Sequence, residues 1–479
     1  MNSTNTARGI WSSKLGFILA GAGSAIGLGN IWRFPTTAGQ NGGAAFVVVY
    51  LASIALICLA VMISELALGR HTTRNPVGMY DALAPRSGWK YLGLLGVLTG
   101  WGISSFYSVV AGWTLGYIFK TASGAFTQLT SDEIAQVFTH FVANPVASIG
   151  LHGTFMILTM LILFGGVKAG IERWSKILMP VLLAILVLLV VRSITLPGAE
   201  AGLTFYLKPK WAELTGRGVI AAVGQAFFSL SLGMGTMITY GSYLSKKENI
   251  ISAASWVCAL DTLIALMAGL AIFPALFAVG LKPTMGAGLI FVVLPNIFNE
   301  IFLGNLFGTG FFILLAIAAV TSLISIVEVP AAYFIDELKW SRKKAVWVSG
   351  IGAFIAGIPA ALSLGSVDWL SSIMTIEGRS YGFLDLMNLL FGQYSLIIGS
   401  LGVATFVGWK WGVKKAAEEI SQGYPEFKEE WSIKMKILLL PLFLFRSPWR
   451  AFAFFIRFVA PFAIAGLLIY LILNPNAFA

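Results

Sequence analysis

The sequence contains few cysteine, histidine and charged residues. Its 479 residues include two cysteines and three histidines, and only 11% are Asp, Glu, Lys or Arg. Both cysteines, Cys58 and Cys258, lie inside apolar runs, so the chain offers neither a disulfide framework nor a Cys/His metal cluster. The apolar runs also lack a nucleophile–base pair. We therefore expect packing roles for the cysteines and no enzyme activity.

Apolar residues are abundant instead, at 57% of the chain. They form runs that can cross a hydrocarbon layer of roughly 30 Å, which takes about 20 helical residues. The period-two alternation that is typical of membrane barrels is absent. The sequence predicts an all-α integral membrane protein with about eleven spans, near 12–39, 43–70, 88–121, 148–166, 174–195, 217–243, 250–280, 302–338, 342–363, 383–411 and 450–473.

The net charge of +11 could indicate nucleic-acid binding, but the basic residues are unevenly distributed. They collect in alternate connections, for example 70–90 and 168–176. This pattern follows the positive-inside rule and predicts a cytoplasmic N-terminus, contact with membrane lipid and no nucleic-acid partner. The apolar segment 433–445 is short, contains Pro441 and has basic residues at its ends, so we expect it to lie at the membrane interface.

Two predicted spans contain closely spaced glycines near their middle, at Gly21–Asn30 and Ser229–Gly235. Glycine costs about 1 kcal/mol per helical position relative to alanine, so both helices should be interrupted there. The two spans are the first and the sixth, and an odd separation inverts the second relative to the first. We predict two five-helix inverted repeats, 12–195 and 217–411, followed by the interfacial segment and helix 11 in 412–479, all within one domain, 1–479. Alternatively, the glycines only permit close helix packing.

A broken helix exposes carbonyls at one half-helix end and amides at the other, which suits a zwitterionic amino acid. Such backbone is tolerated in a membrane only where it lines a cavity. Asp261 is a functional candidate because an ionisable group within a span is costly, although it could simply end a helix near the interface. Glu65 could hold an unwound segment open. Hard oxygen ligands for an alkali cation are available from Asn30, Ser229, Asp261, Thr321 and Ser322.

Several long blocks carry a family resemblance: 11–35, from Trp11 to Pro35; 224–235; and Glu65 with Gly69-Arg70. Over roughly residues 8–473 the chain resembles the neurotransmitter:sodium symporter family, and within it the bacterial amino-acid transporters of leucine-transporter type. The resemblance implies symport of an amino acid with sodium by alternating access. It also implies a multi-pass protein of the bacterial inner membrane that is a monomer or homodimer.

By position, the resemblance implies two sodium sites, a substrate pocket and two gates. The first sodium site would comprise Ala25, Asn30, Ser229 and Asp261, and the second Gly23, Ile26, Ala318, Thr321 and Ser322. The substrate pocket would comprise Ser24, Ala25, Ile26, Leu28, Gly29, Ile103, Tyr107, Phe228, Ser229, Ser231, Met234, Ser322 and Ile326. Arg33 with Asp385, whose alignment needs a small insertion, would form the outer gate, and Arg8 with Asp336 the inner gate.

Three departures from the family pattern narrow the predicted substrate class and ion requirement. No carboxylate occurs in 21–30, so the substrate should bring its own, as an amino acid does. Met234 replaces a phenylalanine and can repack around different shapes, which favours aliphatic and aromatic side chains. Asp261 occupies a position that binds chloride in other members, so no chloride requirement is expected. The alternatives are a carrier of a small amino acid or betaine-like solute, a channel, and a nontransporting amino-acid sensor.

Overall fold

A computed structural model describes residues 9–281, 289–429 and 447–478. The predicted interfacial segment 433–445 and the gate residue Arg8 lie outside these residues. Nine helices in the described ranges are long and apolar enough to cross a membrane. They are spans 2 (Ala44–Thr72), 3 (Trp89–Ala122), 4 (Pro145–Phe164), 5 (Gly166–Ile194), 7 (Ile250–Ala278), 8 (Gly304–Asp336), 9 (Arg342–Leu362), 10 (Phe383–Ser421) and 11 (Pro448–Leu473).

The first and sixth predicted spans are each divided into two helices. Span 1 consists of Lys14–Ala25 and Gly29–Gln40, which meet at a bend of 54°. Span 6 consists of Gly216–Ser229 and Thr236–Gly241. Both interruptions fall on the glycine clusters, as the sequence predicts.

The break in span 6 uses backbone conformations that favour glycine. Gly233 and Gly235 have φ of +86° and +82°, a region open to glycine because it lacks a Cβ. A Cβ on Gly233 would also lie 2.1 Å from the carbonyl oxygen of Leu396 in span 10. The chain therefore turns here only because the side chain is a hydrogen.

The described connections contain short helices and one hairpin. The hairpin pairs Met374–Ile376 with Arg379–Tyr381 in antiparallel fashion between spans 9 and 10. The short helices are Pro76–Leu83, Ser131–Ala143, Ala199–Leu207, Trp211–Glu213, Leu289–Val293 with Leu294–Glu300, Asp368–Ser371, Pro425–Lys428 and Pro475–Phe478.

Helix packing brings the two breaks together in the protein interior. The inner half of span 1 packs against spans 5, 7 and 8, and both halves of span 6 pack along span 2. Span 3 packs along the length of span 8. The interrupted segments are consequently enclosed by continuous helices, and the residues at both breaks are buried.

Two span boundaries differ from the prediction by more than three residues. Span 5 begins at Gly166 rather than at 174, and span 10 continues to Ser421 rather than ending at 411. Both additions are on the side predicted to be cytoplasmic and contain charged residues such as Glu172 and Lys414. Hydropathy marks where a helix leaves the membrane, and these helices continue beyond that point.

Candidate functional site

The interrupted segments of spans 1 and 6 contact each other. The hydroxyl of Ser231 donates to the carbonyl of Ser24 at 3.2 Å. The Ser24 hydroxyl is fully buried and has no hydrogen-bond partner in the described part of the chain. A buried polar atom without a partner is rare in native proteins, so this hydroxyl is a candidate contact for a ligand.

The outer half of span 1 starts beside a cluster of donors. The Leu28 amide donates to the Tyr107 hydroxyl of span 3 at 3.1 Å. A Cβ on Gly27 would lie 2.7 Å from that hydroxyl and 2.6 Å from Oγ of Ser322. No side chain at position 27 would fit there, so only glycine lets the chain approach these two hydroxyls so closely.

Apolar side chains lie next to these polar groups. Ile103 lies one helical turn before Tyr107, and Ile326 one turn after Ser322, so each shares a helix face with a polar pocket residue. Ile103, Ile326 and Met234 are buried. Phe228 is half-buried, and a Cβ on Gly29 would come within 2.9 Å of its ring. The residues expected to form the pocket therefore combine polar groups with buried apolar side chains.

The predicted first sodium-site residues form a buried hydrogen-bonded group. The Asn30 side-chain amide donates to the Asp261 carboxylate at 2.7 Å and to the Ser229 hydroxyl at 3.0 Å. Ser229 donates to both carboxylate oxygens, at 2.9 and 3.1 Å. Ala25 ends the first half-helix, where carbonyls lack helical partners. Asp261 therefore lies in the interior and not at a helix end near the membrane interface.

The predicted second sodium-site residues join span 1 to span 8. The Ser322 hydroxyl donates to the carbonyls of Ile26 at 3.0 Å and Gly23 at 3.4 Å. The Thr321 hydroxyl donates to the Ala318 carbonyl at 3.1 Å. Hydroxyl and carbonyl oxygens are the ligands that hard cations such as sodium prefer.

Glu65 of span 2 supports the break in span 6. Its Oε1 accepts from the Gly233 amide at 2.7 Å, and the amides of Met237 and Ile238 lie close to the same carboxylate. These amides belong to the break and to the first turn of the second half-helix, where no intrahelical acceptor exists. The carboxylate thus stabilises the interruption, as the sequence suggested.

A cavity of about 620 Å³ leads to the site from the side predicted to be extracellular. Its wall includes Leu28, Gly29 and Phe228 at the site, and both predicted outer-gate residues, Arg33 and Asp385. The Arg33 guanidinium lies 4.2 Å from the centre of the Phe228 ring. Asp385 accepts from the Gly382 amide at 3.1 Å and so caps the start of span 10.

Two contacts on the opposite side were not anticipated from the sequence. Asp336, the predicted inner-gate carboxylate, accepts from the Asn75 backbone and side-chain nitrogens at 2.8 and 3.0 Å. Asn75-Pro76 is a helix-start signal and could have pointed to Asn75. Glu172 accepts from the Ser12 amide at 2.7 Å, which ties the start of span 1 to span 5. Glu172 follows a stretch of glycine and apolar residues that contains one lysine, and no local signal connects it to Ser12.

The chain is similar to known proteins in both sequence and fold. The model of the sodium:neurotransmitter symporter family matches residues 8–135 and 144–471. The chain is 37% identical to the uncharacterized sodium-dependent transporter YhdH of Bacillus subtilis over 413 residues, which cover 86% of this chain and 90% of YhdH. It is 37% identical to an uncharacterized sodium-dependent transporter of Haemophilus influenzae over 461 residues, 93% of this chain and 99% of the relative. The crystal structure of MhsT in complex with L-phenylalanine is similar with a TM-score of 0.84 and 43% identity, covering 96% of this chain and 99% of MhsT.

Proposed function

Since the chain belongs to the sodium:neurotransmitter symporter family and is a sodium-dependent transporter, we propose that it carries a hydrophobic L-amino acid into the cell with sodium. The substrate would be aliphatic or aromatic. The protein is a multi-pass membrane protein and not an enzyme. We further propose that it resides in the bacterial inner membrane with a cytoplasmic N-terminus, as a monomer or homodimer.

The observation that carries the substrate proposal is the donor cluster at the first break. The Leu28 amide and the Tyr107 hydroxyl meet at the first break, and residues 21–30 contain no carboxylate that could pair with a substrate amine. A substrate carboxylate would accept from both groups, and the ammonium would meet carbonyls such as that of Ser24. The side chain would extend towards Ile103, Met234 and Ile326. The phenylalanine bound by MhsT, a close structural relative, supports a hydrophobic side chain.

Two sodium ions would be co-substrates. One would bind at Ala25, Asn30, Ser229 and Asp261 together with the substrate carboxylate. The other would bind between the carbonyls of Gly23, Ile26 and Ala318 and the hydroxyls of Thr321 and Ser322. Each ion would replace hydrogen bonds within the protein by ion–oxygen contacts. Because the ions bridge spans that must separate during transport, their binding is linked to conformation and therefore to substrate binding.

The broken spans also provide the moving parts. Spans 1, 2, 6 and 7 would rock against the remaining helices, with 12–195 and 217–411 as the inverted repeats. Arg33 and Asp385 line the open cavity, so closure over the substrate would bring them together above Phe228. On the inner side, Asp336 would release its contacts with Asn75 as that side opens. Its predicted partner Arg8 lies outside the described residues.

We also propose that transport is independent of chloride. The Asp261 carboxylate is adjacent to Ser229, and the Tyr50 hydroxyl lies 3.4 Å from the same serine oxygen. A fixed negative charge at this place would supply the neutralisation that an anion provides elsewhere in the family. A bound chloride would then be redundant and repelled.

Uptake of radiolabelled phenylalanine by proteoliposomes tests the function. We expect accumulation against its gradient only with an inward sodium gradient, and competition by large aliphatic and aromatic amino acids. Competition by glycine or betaine alone would support the small-solute alternative, whereas binding without accumulation would support a sensor. Tyr107→Phe removes a hydroxyl whose hydrogen bond to a charged acceptor contributes about 1.5–3 kcal/mol, so affinity should fall about 10- to 150-fold. Tyr91→Phe, at a largely exposed tyrosine on the same span, is the matched control.

A further inference from the structure

The wall of the outer cavity carries more positive than negative charge. Within the described chain, its positively charged residues are Arg33, Arg217 and Arg379, and its negatively charged residue is Asp385. Arg33 is predicted to serve in the gate with Asp385. Arg217 and Arg379 are exposed and belong to different connections, one at the start of span 6 and one in the hairpin before span 10.

The turn and strand geometry of the hairpin place Arg379 on the cavity side. Glu377 and Gly378 both have positive φ, +48° and +79°, which is the two-residue turn that suits the twist of an antiparallel hairpin. Residues two apart on a strand share a face, and Arg379 and Tyr381 both line the cavity. The Arg379 guanidinium lies 5.4 Å from the centre of the Tyr381 ring. The buried ring therefore supports the guanidinium on the cavity side.

The segment after the last span holds this hairpin in place. The Asn476 side chain contacts it at three points: it accepts from the Tyr381 hydroxyl, and its amide donates to the Ile376 carbonyl at 3.1 Å and to the Glu377 carboxylate at 3.2 Å. Ile376 is the residue paired with Arg379 across the hairpin. Glu377 does not contribute to the cavity wall. The C-terminal segment thus fixes the turn while the basic residue faces the cavity.

From this geometry we infer that Arg379 is a specificity-determining residue that draws the substrate carboxylate into the cavity, and that Asn476 is its positioning residue. The inference rests on the proposed function, since it assigns a role to the carboxylate of an amino-acid substrate. Charged walls raise the rate at which an oppositely charged group enters a cleft, and salt weakens this effect. An amino acid is zwitterionic and has no net charge, so Arg379 acts by attracting its carboxylate end. It thereby orients the entering substrate and raises its association rate, and it disfavours substrates that carry only an amine.

The test measures kcat/KM for phenylalanine uptake at constant sodium while choline chloride varies the ionic strength. The screening length falls from about 30 Å at 0.01 M to about 8 Å at 0.15 M. Arg379→Gln should lower kcat/KM about two- to fivefold at low ionic strength and flatten its salt dependence. Arg379→Lys should retain both properties, and Asn476→Ala should flatten the salt dependence although the arginine is present. Arg192→Gln removes the same charge at the outer end of span 5, away from the cavity, and should behave as the parent protein.

An unchanged salt dependence in Arg379→Gln would overturn the inference, as would equal defects in Arg379→Lys and Arg379→Gln. A parent protein without sodium-driven uptake would instead refute the proposed function. In that case the association rate of phenylalanine, followed by tryptophan fluorescence of the purified protein, still decides the role of Arg379. Phenylalaninamide, which lacks the carboxylate, should associate at a rate that Arg379→Gln does not lower.

Discussion

Replacing Asp261 with asparagine should weaken sodium binding far more than it weakens the fold. The carboxylate is completely buried and accepts from Asn30 at 2.7 Å and from Ser229 at 2.9 and 3.1 Å. Asparagine keeps the size and one acceptor oxygen, but its new amide faces a Ser229 oxygen that already accepts from Asn30 and Tyr50. The hydrogen-bond change therefore costs about 1–2 kcal/mol of unfolding free energy. A cation about 4 Å from the lost charge would lose about 4 kcal/mol at an effective dielectric constant of about 20.

The apparent affinity for sodium should accordingly fall by about two to three orders of magnitude. Sodium-dependent thermal stabilisation and phenylalanine uptake measure this directly, with Asp81→Asn, at an exposed aspartate, as the matched control. If Asp261 substitutes for chloride, added chloride should restore part of the uptake of the variant, since Tyr50 and Ser229 remain as donors. An Asp261→Asn protein with unchanged sodium affinity, or with transport that stays independent of chloride, would refute the reasoning.

Two further variants test the second ion site and the support of the break. Thr321→Ala combined with Ser322→Ala removes two oxygen ligands between spans 1 and 8, so half-maximal uptake should require at least tenfold more sodium; unchanged sodium dependence would contradict the site. In Glu65→Gln, the carboxylate that accepts from the Gly233 amide becomes a side-chain amide that also donates. A nearby buried backbone amide then loses its acceptor, which lowers the free energy of unfolding by about 1–3 kcal/mol. Its thermal stability and uptake should both fall relative to Glu418→Gln, a change at an exposed glutamate, and equal stability of the two variants would show that Glu65 does not hold the break.

The breaks were predictable because helix propensity is local. Gly21–Asn30 and Ser229–Gly235 weaken a helix wherever they occur, and the structure interrupts both spans there. The buried position of Asp261 could also be read from the surrounding apolar run. The helix ends at 166 and 421 could not, because hydropathy reports the membrane boundary and not the end of the hydrogen-bonded helix.

The contacts between distant segments of the chain were harder to predict from the sequence. The Asn75 amide donates to the Asp336 carboxylate although the two residues are more than 250 positions apart in the sequence. The family resemblance implies only Arg8 as a partner of that carboxylate. Glu419 of the extended span 10 is fully buried and accepts from Arg70 at 2.7 Å and Lys246 at 2.8 Å. In the sequence, Glu419 belongs to a short charged run and resembles a solvated residue.

By itself the sequence determined the membrane class, the two interruptions and the absence of a carboxylate from the first one, and it predicts the sidedness. Each of these follows from composition or from spacing within a single helix, where the physical cause is local. The tertiary structure decided which oxygens converge near Asp261 and Ser322, that Asn476 secures the hairpin bearing Arg379, and that a cavity reaches the site from one side. Such contacts depend on how helices far apart in the chain pack together, and no local sequence pattern specifies which distant residues meet.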